Sequence, residues 1–169
     1  MTEAGWSGMM SLPRVMQVDT DGTLRLQVLP ETAKLRAGTV PSEETRAGVV
    51  RTLRKATGEV TCAGRGDKSF EVSFNANDTQ VMRVSYSSEK HSFLADGEEI
   101  ALEPDDRPTL HAFVDGSVIE LILGERIGYT KRFYYEGSTA PDLHVHATGM
   151  GDVTMNAWKI EPISNNRLT

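Results

Sequence analysis

Between residues 57 and 160 the sequence is a succession of short segments in which apolar and polar residues alternate, separated by turns rich in Gly, Asn and Asp. Segments 109–114 and 117–123 flank Asp115-Gly116, a pair that favours the positive φ angles of a tight hairpin. No long segment has helical periodicity. Short strands at this spacing predict an all-β fold, a sandwich of two antiparallel sheets of the concanavalin-like (lectin-like) jelly-roll kind.

The first 38 residues predict two elements that precede the sandwich, a hairpin and a short linker. Segments 14–18 and 23–28 alternate around the turn residues 19–22 and predict a hairpin. Pro30, near the start of segment 30–36, and Gly38 after it are typical of one or two helical turns. We therefore divide the chain into a hairpin (1–29), a linker (30–38) and a sandwich (39–169).

Composition excludes several classes of function. Eighteen basic and 24 acidic residues give a formal net charge of −6, which argues against a nucleic-acid-binding surface. The single Cys62 cannot form an internal disulfide. No apolar run approaches the ~18 residues of a membrane span, and no signal segment precedes the hairpin. We expect a soluble chain without a membrane partner. The missing leader favours the cytoplasm, although a fragment of a secreted protein would also lack one.

Segment 118–123 is apolar on both faces apart from Glu120, which predicts either a central strand covered on both sides or a strand at an interface. A carboxylate in that setting needs a partner. The next strand supplies Lys131 and Arg132, so we expect Glu120 to pair with one of them or with backbone donors.

Two histidines two residues apart, His144 and His146, lie on the same face of a predicted strand. They could bind a metal with His111 as a third ligand. Ordinary surface histidines explain the pattern better, and we predict neither a metal nor a cofactor.

Two motifs together resemble one family. They are the segments Gly5-Trp6-Ser7-Gly8-Met9-Met10-Ser11-Leu12-Pro13-Arg14 and Phe113-Val114-Asp115-Gly116-Ser117-Val118-Ile119-Glu120. The chain resembles the C-terminal end of glycoside hydrolase family 32, the invertases, levanases and inulinases. The resemblance implies that residues 1–29 derive from the last blade of the catalytic β-propeller and that the propeller itself lies outside this sequence.

The resemblance also allows the catalytic segments of the family to be compared with this sequence. The family's catalytic segments, of the types W-M-N-D-P-N, R-D-P and E-C, have no match here, since Trp6 precedes Ser-Gly and Cys62 follows Thr61. No catalytic residue is therefore carried over, and we expect the chain alone to be inactive although the parent enzymes are glycosidases.

Two functions from different classes remain open. The sandwich is either a scaffold that stabilises or oligomerises the propeller domain, or a module that binds fructose, sucrose or fructan. A binding module would use exposed rings, for which the candidates are Tyr129, Tyr134, Tyr135 and Trp158. The aromatic content of 7% is modest for a sugar binder and favours the scaffold. Apolar residues of the hairpin, deprived of propeller partners, predict that the hairpin forms a homodimer, exchanges between chains or stays mobile.

Overall fold

The computed structural model describes residues 11–64, 68–149 and 153–162, so Gly5 to Met10 of the first motif lie outside the described residues. The chain begins with a hairpin of strands β1 (Arg14–Val18) and β2 (Leu24–Val28). Its turn contains Gly22, whose φ of 86° is the left-handed backbone expected of the Asp-Gly pair. Among the described residues no helix has the length and apolar character needed to span a membrane.

A 3-10 helix, Pro30–Leu35, follows the hairpin and leads directly into the first strand of the sandwich. That strand, β3, begins at Arg36, three residues before the start that we placed at 39. The reason is that residues 36–39 pair with a strand from the other end of the chain, a contact that local sequence does not reveal.

The remaining strands are β4 (Ser42–Thr45), β5 (Gly48–Leu53), β6 (Thr57–Gly64), β7 (Phe70–Ala76), β8 (Thr79–Ser87), β9 (Ser92–Ala95), β10 (Glu98–Ala101), β11 (Thr109–Asp115), β12 (Val118–Leu123), β13 (Ile127–Arg132), β14 (Leu143–Gly149) and β15 (Val153–Ile160). They form two antiparallel sheets. The seven-stranded sheet has the order β10-β9-β8-β7-β14-β5-β4, and the six-stranded sheet the order β13-β12-β11-β6-β15-β3. The predicted all-β sandwich is confirmed.

The core lies between the two sheets. Alternate residues of each strand point inward, and the largest of them are fully buried, including Phe74, Phe93, Leu121 and Leu143. In the six-stranded sheet, Val60 and Cys62 of β6 face this core, whereas Glu59 and Thr61 face the opposite side.

The outer face of the six-stranded sheet, the side away from the core, is partly covered by the hairpin. The backbone N–H of Leu26 donates to the carbonyl oxygen of Glu125, 2.8 Å away, in the turn between β12 and β13. Ile122 of β12 points outward yet is buried, and it lines a groove together with Leu26. This cover explains why segment 118–123 is apolar on both faces.

Candidate functional site

A row of neighbouring side chains crosses the outer face of the six-stranded sheet. The strand register aligns Glu120 with Phe113, Phe113 with Glu59, and Glu59 with Trp158. Residues directly opposite each other on paired strands share a face, so these four belong to one surface. Glu59, at the centre of the row, is 1% exposed.

The Glu59 carboxylate has two partners. Arg36, at the start of β3, donates two hydrogen bonds, from Nε at 2.7 Å and from Nη2 at 2.5 Å. His111 of β11 places Nε2 2.7 Å from Oε1, the oxygen that also accepts from Arg36 Nη2. Burial by itself would raise the pKa of Glu59, but the hydrogen bonds from Arg36 and His111 outweigh it and hold the pKa below its ordinary value. The carboxylate is therefore charged at neutral pH.

Two aromatic rings hold these partners in place. The Arg36 guanidinium lies 3.8 Å from the centre of the Trp158 ring, a cation–π contact. The His111 ring stacks on Phe113, with 4.8 Å between ring centres. The cluster thus connects β3, β6, β11 and β15.

Glu120 is bound by the segment just before the hairpin. The backbone N–H of Leu12 lies 3.0 and 3.2 Å from its two carboxylate oxygens, and Arg14 Nη2 lies 2.9 Å from Oε2. We expected Lys131 or Arg132 as the cation, and the structure corrects this. Lys131 is opposite Ile119 in the register, so its side chain leaves from the other face and Nζ binds Asp96 at 2.6 Å. Arg132 lies over the ring of Tyr134.

A second buried carboxylate, Asp106, joins the hairpin to the sandwich. It is 4% exposed and forms an ion pair with Arg25 of β2, while Arg126 Nη1 lies 3.4 Å away. The backbone N–H of Glu103 donates to it over 2.8 Å. Burial would raise the pKa of Asp106, but Arg25 and the Glu103 amide hold it below its ordinary value. The hairpin is therefore attached by two ion pairs, Arg25–Asp106 and Arg14–Glu120.

Between β2 and the outer face of the six-stranded sheet lies a groove of about 510 Å³. One side consists of Leu26, Gln27 and Val28, and the floor of outward-pointing residues from four strands, Ile122, His111, Thr61, Thr154 and Asn156. This volume falls in the ordinary range of small-molecule sites.

The four ring candidates do not come together. Tyr134 is 73% exposed, Tyr135 is half-buried beside Phe133, and Tyr129 is opposite Leu121 and packs against the core. Trp158 lies on β15, with three strands between it and the β13 strand of Tyr129.

The histidines are separated as well. His144 and His146 lie on the outer face of the seven-stranded sheet, where His144 Nδ1 is 3.0 Å from the Thr52 hydroxyl, and His111 is on the other sheet. His111 is therefore wrong as a third ligand. Within residues 11–64, 68–149 and 153–162, no three His, Cys, Asp or Glu side chains are arranged to hold a metal ion.

Residues 20–159 match the family model described as glycosyl hydrolases family 32 C terminal. The chain belongs to this family. The sandwich and the second motif, residues 113–120, lie within this match, and the family is the one that the resemblance predicted. None of the curated proteins matches the sequence.

Solved structures of three other proteins share this fold. A family 32 β-fructofuranosidase from Bombyx mori is 20% identical, with a TM-score of 0.76, over 93% of this chain and 34% of the other. An exo-inulinase from Aspergillus awamori is 18% identical, with a TM-score of 0.67, over 95% of this chain and 37% of the other. A sucrose-6-phosphate hydrolase from Lactobacillus gasseri is 19% identical, with a TM-score of 0.57, over 89% of this chain and 33% of the other. The chain spans about a third of the length of these proteins.

Within this family 32 domain, sequence reasoning overlooked the Glu59 and Asp106 clusters. One signal was available for Glu59, because alternation along β6 places it on the polar side with Thr61. The partners gave no such signal, since Arg36 and His111 are 23 and 52 residues away in the chain.

Proposed function

We propose that this chain is the non-catalytic C-terminal module of a family 32 glycoside hydrolase of the β-fructosidase type, and that it stabilises or oligomerises a catalytic propeller domain. The observation that carries the proposal is the family match over residues 20–159, in a chain without the family's catalytic segments. The neighbouring enzymes, named as a β-fructofuranosidase, an exo-inulinase and a sucrose-6-phosphate hydrolase, support carbohydrate metabolism as its setting.

The hairpin is the proposed contact with the catalytic domain. Met16 and Val18 are each 70% exposed and Leu24 is 48% exposed, and the register places all three on one face of the hairpin. A contiguous exposed apolar face favours association. The ion pairs of Arg14 and Arg25 attach the hairpin to the sandwich, so a domain bound to the hairpin would also be joined to the sandwich.

A two-part experiment tests this function. First, the chain alone is incubated with sucrose, inulin and levan, and we expect no release of fructose. Release that persists in independently purified samples would contradict the non-catalytic role. Second, the chain is mixed with a family 32 catalytic domain from the same organism, and we expect a complex with a raised melting temperature.

The matched variants locate the contact. Val18→Lys adds a charge to the exposed hairpin face and is expected to weaken the complex. Leu94→Lys places the same charge on the seven-stranded sheet, where Leu94 is 46% exposed, and is expected to leave the complex unchanged. Equal effects of the two variants would contradict a hairpin contact.

A second candidate is a carbohydrate-binding module for fructose or fructan. The 73% exposure of Tyr134 favours it, because a ring that solvent reaches can stack on a sugar. Loss of fructan binding in Tyr134→Ala would support this candidate.

A further inference from the structure

The floor of the groove between β2 and the six-stranded sheet contains several polar side chains. The register aligns Ile122 with His111, His111 with Thr61, and Thr61 with Asn156, and Thr154 follows on the same face. The side chains of Thr61, Thr154 and Asn156 make no hydrogen bond to other residues in the part of the chain that the structure describes. Hydroxyl and amide groups both donate and accept, so they suit a ligand with many hydroxyls.

His111 adds a ring whose orientation is fixed by its neighbours. Because the Glu59 carboxylate only accepts hydrogen bonds, the Nε2 atom 2.7 Å from it carries the proton. The Nδ1 atom accepts a hydrogen bond in the neutral ring and donates one in the charged ring, so it can contact a hydroxyl in either form. Glu59 and the stacked Phe113 fix the plane of the ring. A ring held by a buried carboxylate resembles the supporting contacts that precise binding sites use.

The sides of the groove are mixed in character. Leu26 and Val28 of the hairpin and Ile122 of the sheet supply apolar surface, while Gln27 and Glu125, whose side chains are hydrogen bonded at 3.1 Å, form a polar rim. A sugar ring presents both C–H groups and hydroxyls, and therefore needs both kinds of surface.

The charges of the residues that line the groove favour a neutral ligand over an anionic one. Among the described residues that line the groove there is no Lys or Arg, and Glu125 is the acidic one. An anionic ligand such as a sugar phosphate would meet no lysine or arginine there and would lie beside the Glu125 carboxylate. A neutral molecule would meet no such penalty.

From this geometry we propose that the groove binds a neutral saccharide of about two units, with Asn156, Thr154, Thr61 and His111 contacting its hydroxyls. The volume of about 510 Å³ accommodates a ligand of that size. The proposal goes beyond the scaffold role and does not depend on it. It also differs from the second candidate function, because Tyr134 is not part of the groove.

The experiment is a titration of the ¹⁵N-labelled chain, followed by NMR and calorimetry, with sucrose, a fructosyl-sucrose trisaccharide and sucrose 6-phosphate. We expect saturable shifts at the amides of Thr61, His111 and Asn156 with the two neutral sugars, and at least tenfold weaker binding of the phosphate. Shifts confined to residues 133–137, no saturable shifts, or tighter binding of the phosphate would each overturn the proposal.

Variants separate the groove from other surfaces. Asn156→Ala and Thr154→Val replace exposed side chains, so the fold is expected to persist, which circular dichroism checks. Each should weaken binding by about tenfold, the effect of losing one good hydrogen bond. Thr130→Val is the matched control, exposed on the same sheet outside the groove, and should bind as the unmodified chain does. Tyr134→Ala should also leave sugar binding unchanged. Loss of binding in this variant would contradict the groove as the binding site and would favour the exposed ring of Tyr134.

Discussion

At the scale of single residues, the outer face of the six-stranded sheet depends on carboxylates that are buried and paired. Glu59 is the clearest case, because one side chain joins Arg36 of β3 to His111 of β11. A buried carboxylate without these partners would cost several kcal/mol. The cluster is therefore a structural requirement for this face, and it also orients the histidine of the groove.

The low pKa of Glu59 and of Asp106 predicts a stability that falls in acid. A carboxyl whose folded pKa lies below its unfolded value stabilises the protein above the unfolded value, near pH 4 to 4.5, and loses that contribution as pH falls through the folded pKa. We expect the urea midpoint of unfolding to be constant from pH 7 to about 5 and to fall steadily below that. Glu59→Gln should lower the free energy of unfolding by about 2–3 kcal/mol at pH 7, with a smaller difference at pH 3.

Glu71→Gln is the matched control for this prediction. Glu71 also pairs with an arginine, Arg83, but both side chains are substantially exposed. Exposed pairs contribute little, so the change should be below about 1 kcal/mol. A Glu59→Gln variant as stable as Glu71→Gln, or with an undiminished difference at pH 3, would contradict the role assigned to the buried carboxylate.

At the scale of elements, the turns between strands depend on backbone conformations that glycine tolerates. Gly48 begins β5 with φ of 144°, and an added Cβ would lie 2.0 Å from the carbonyl oxygen of Ala147 on β14. Gly97, in the turn between β9 and β10, has φ of 92° but open space around the same position. Both glycines have a positive φ that other residues adopt unfavourably, but only at Gly48 would an added Cβ collide with a neighbouring strand.

Alanine at these two glycines should therefore have unequal effects. Gly97→Ala is expected to cost about 1 kcal/mol, from the unfavourable positive φ. Gly48→Ala should cost about 1–3 kcal/mol more, because β5 must move away from β14. Urea unfolding of the two variants measures the difference, and equal losses would show that the approach of β5 to β14 is not tight.

At the scale of the whole molecule, the hairpin and the sandwich form one unit. Arg25–Asp106, Arg14–Glu120 and the Leu26 amide attach the hairpin to the sandwich, while Met16, Val18 and Leu24 are exposed. These three residues lie near the turn and leave an exposed apolar surface at that end of the hairpin.

This surface predicts self-association of the isolated chain. We expect light scattering after gel filtration to show a dimer whose fraction rises with concentration, since exposed apolar area favours contact between copies. Met16→Lys should shift the population to monomer. Leu94→Lys, on the far sheet, serves as the comparison and should leave the dimer intact. A monomer at every concentration would contradict a hairpin-mediated dimer.

Much of this architecture is readable from local sequence. The alternation in segments such as 109–114 and 117–123, with Asp115-Gly116 between them, predicted strands, hairpins and the sandwich, because the period of two and the turn preference are properties of neighbouring residues. The two motifs, taken together, indicated the family. The same alternation along β6 could have placed Glu59 on the outer face of the sheet.

What tertiary structure alone decided is which faces meet and which charges pair. Arg14 and Glu120 are 106 residues apart, and the register that turned Lys131 away from Glu120 is fixed by pairing of whole strands. The groove exists only because the hairpin lies on the six-stranded sheet. Alternation tells which side of a strand a residue occupies. It does not tell what covers that side, because this depends on burial of the entire core and on contacts between segments far apart in the chain.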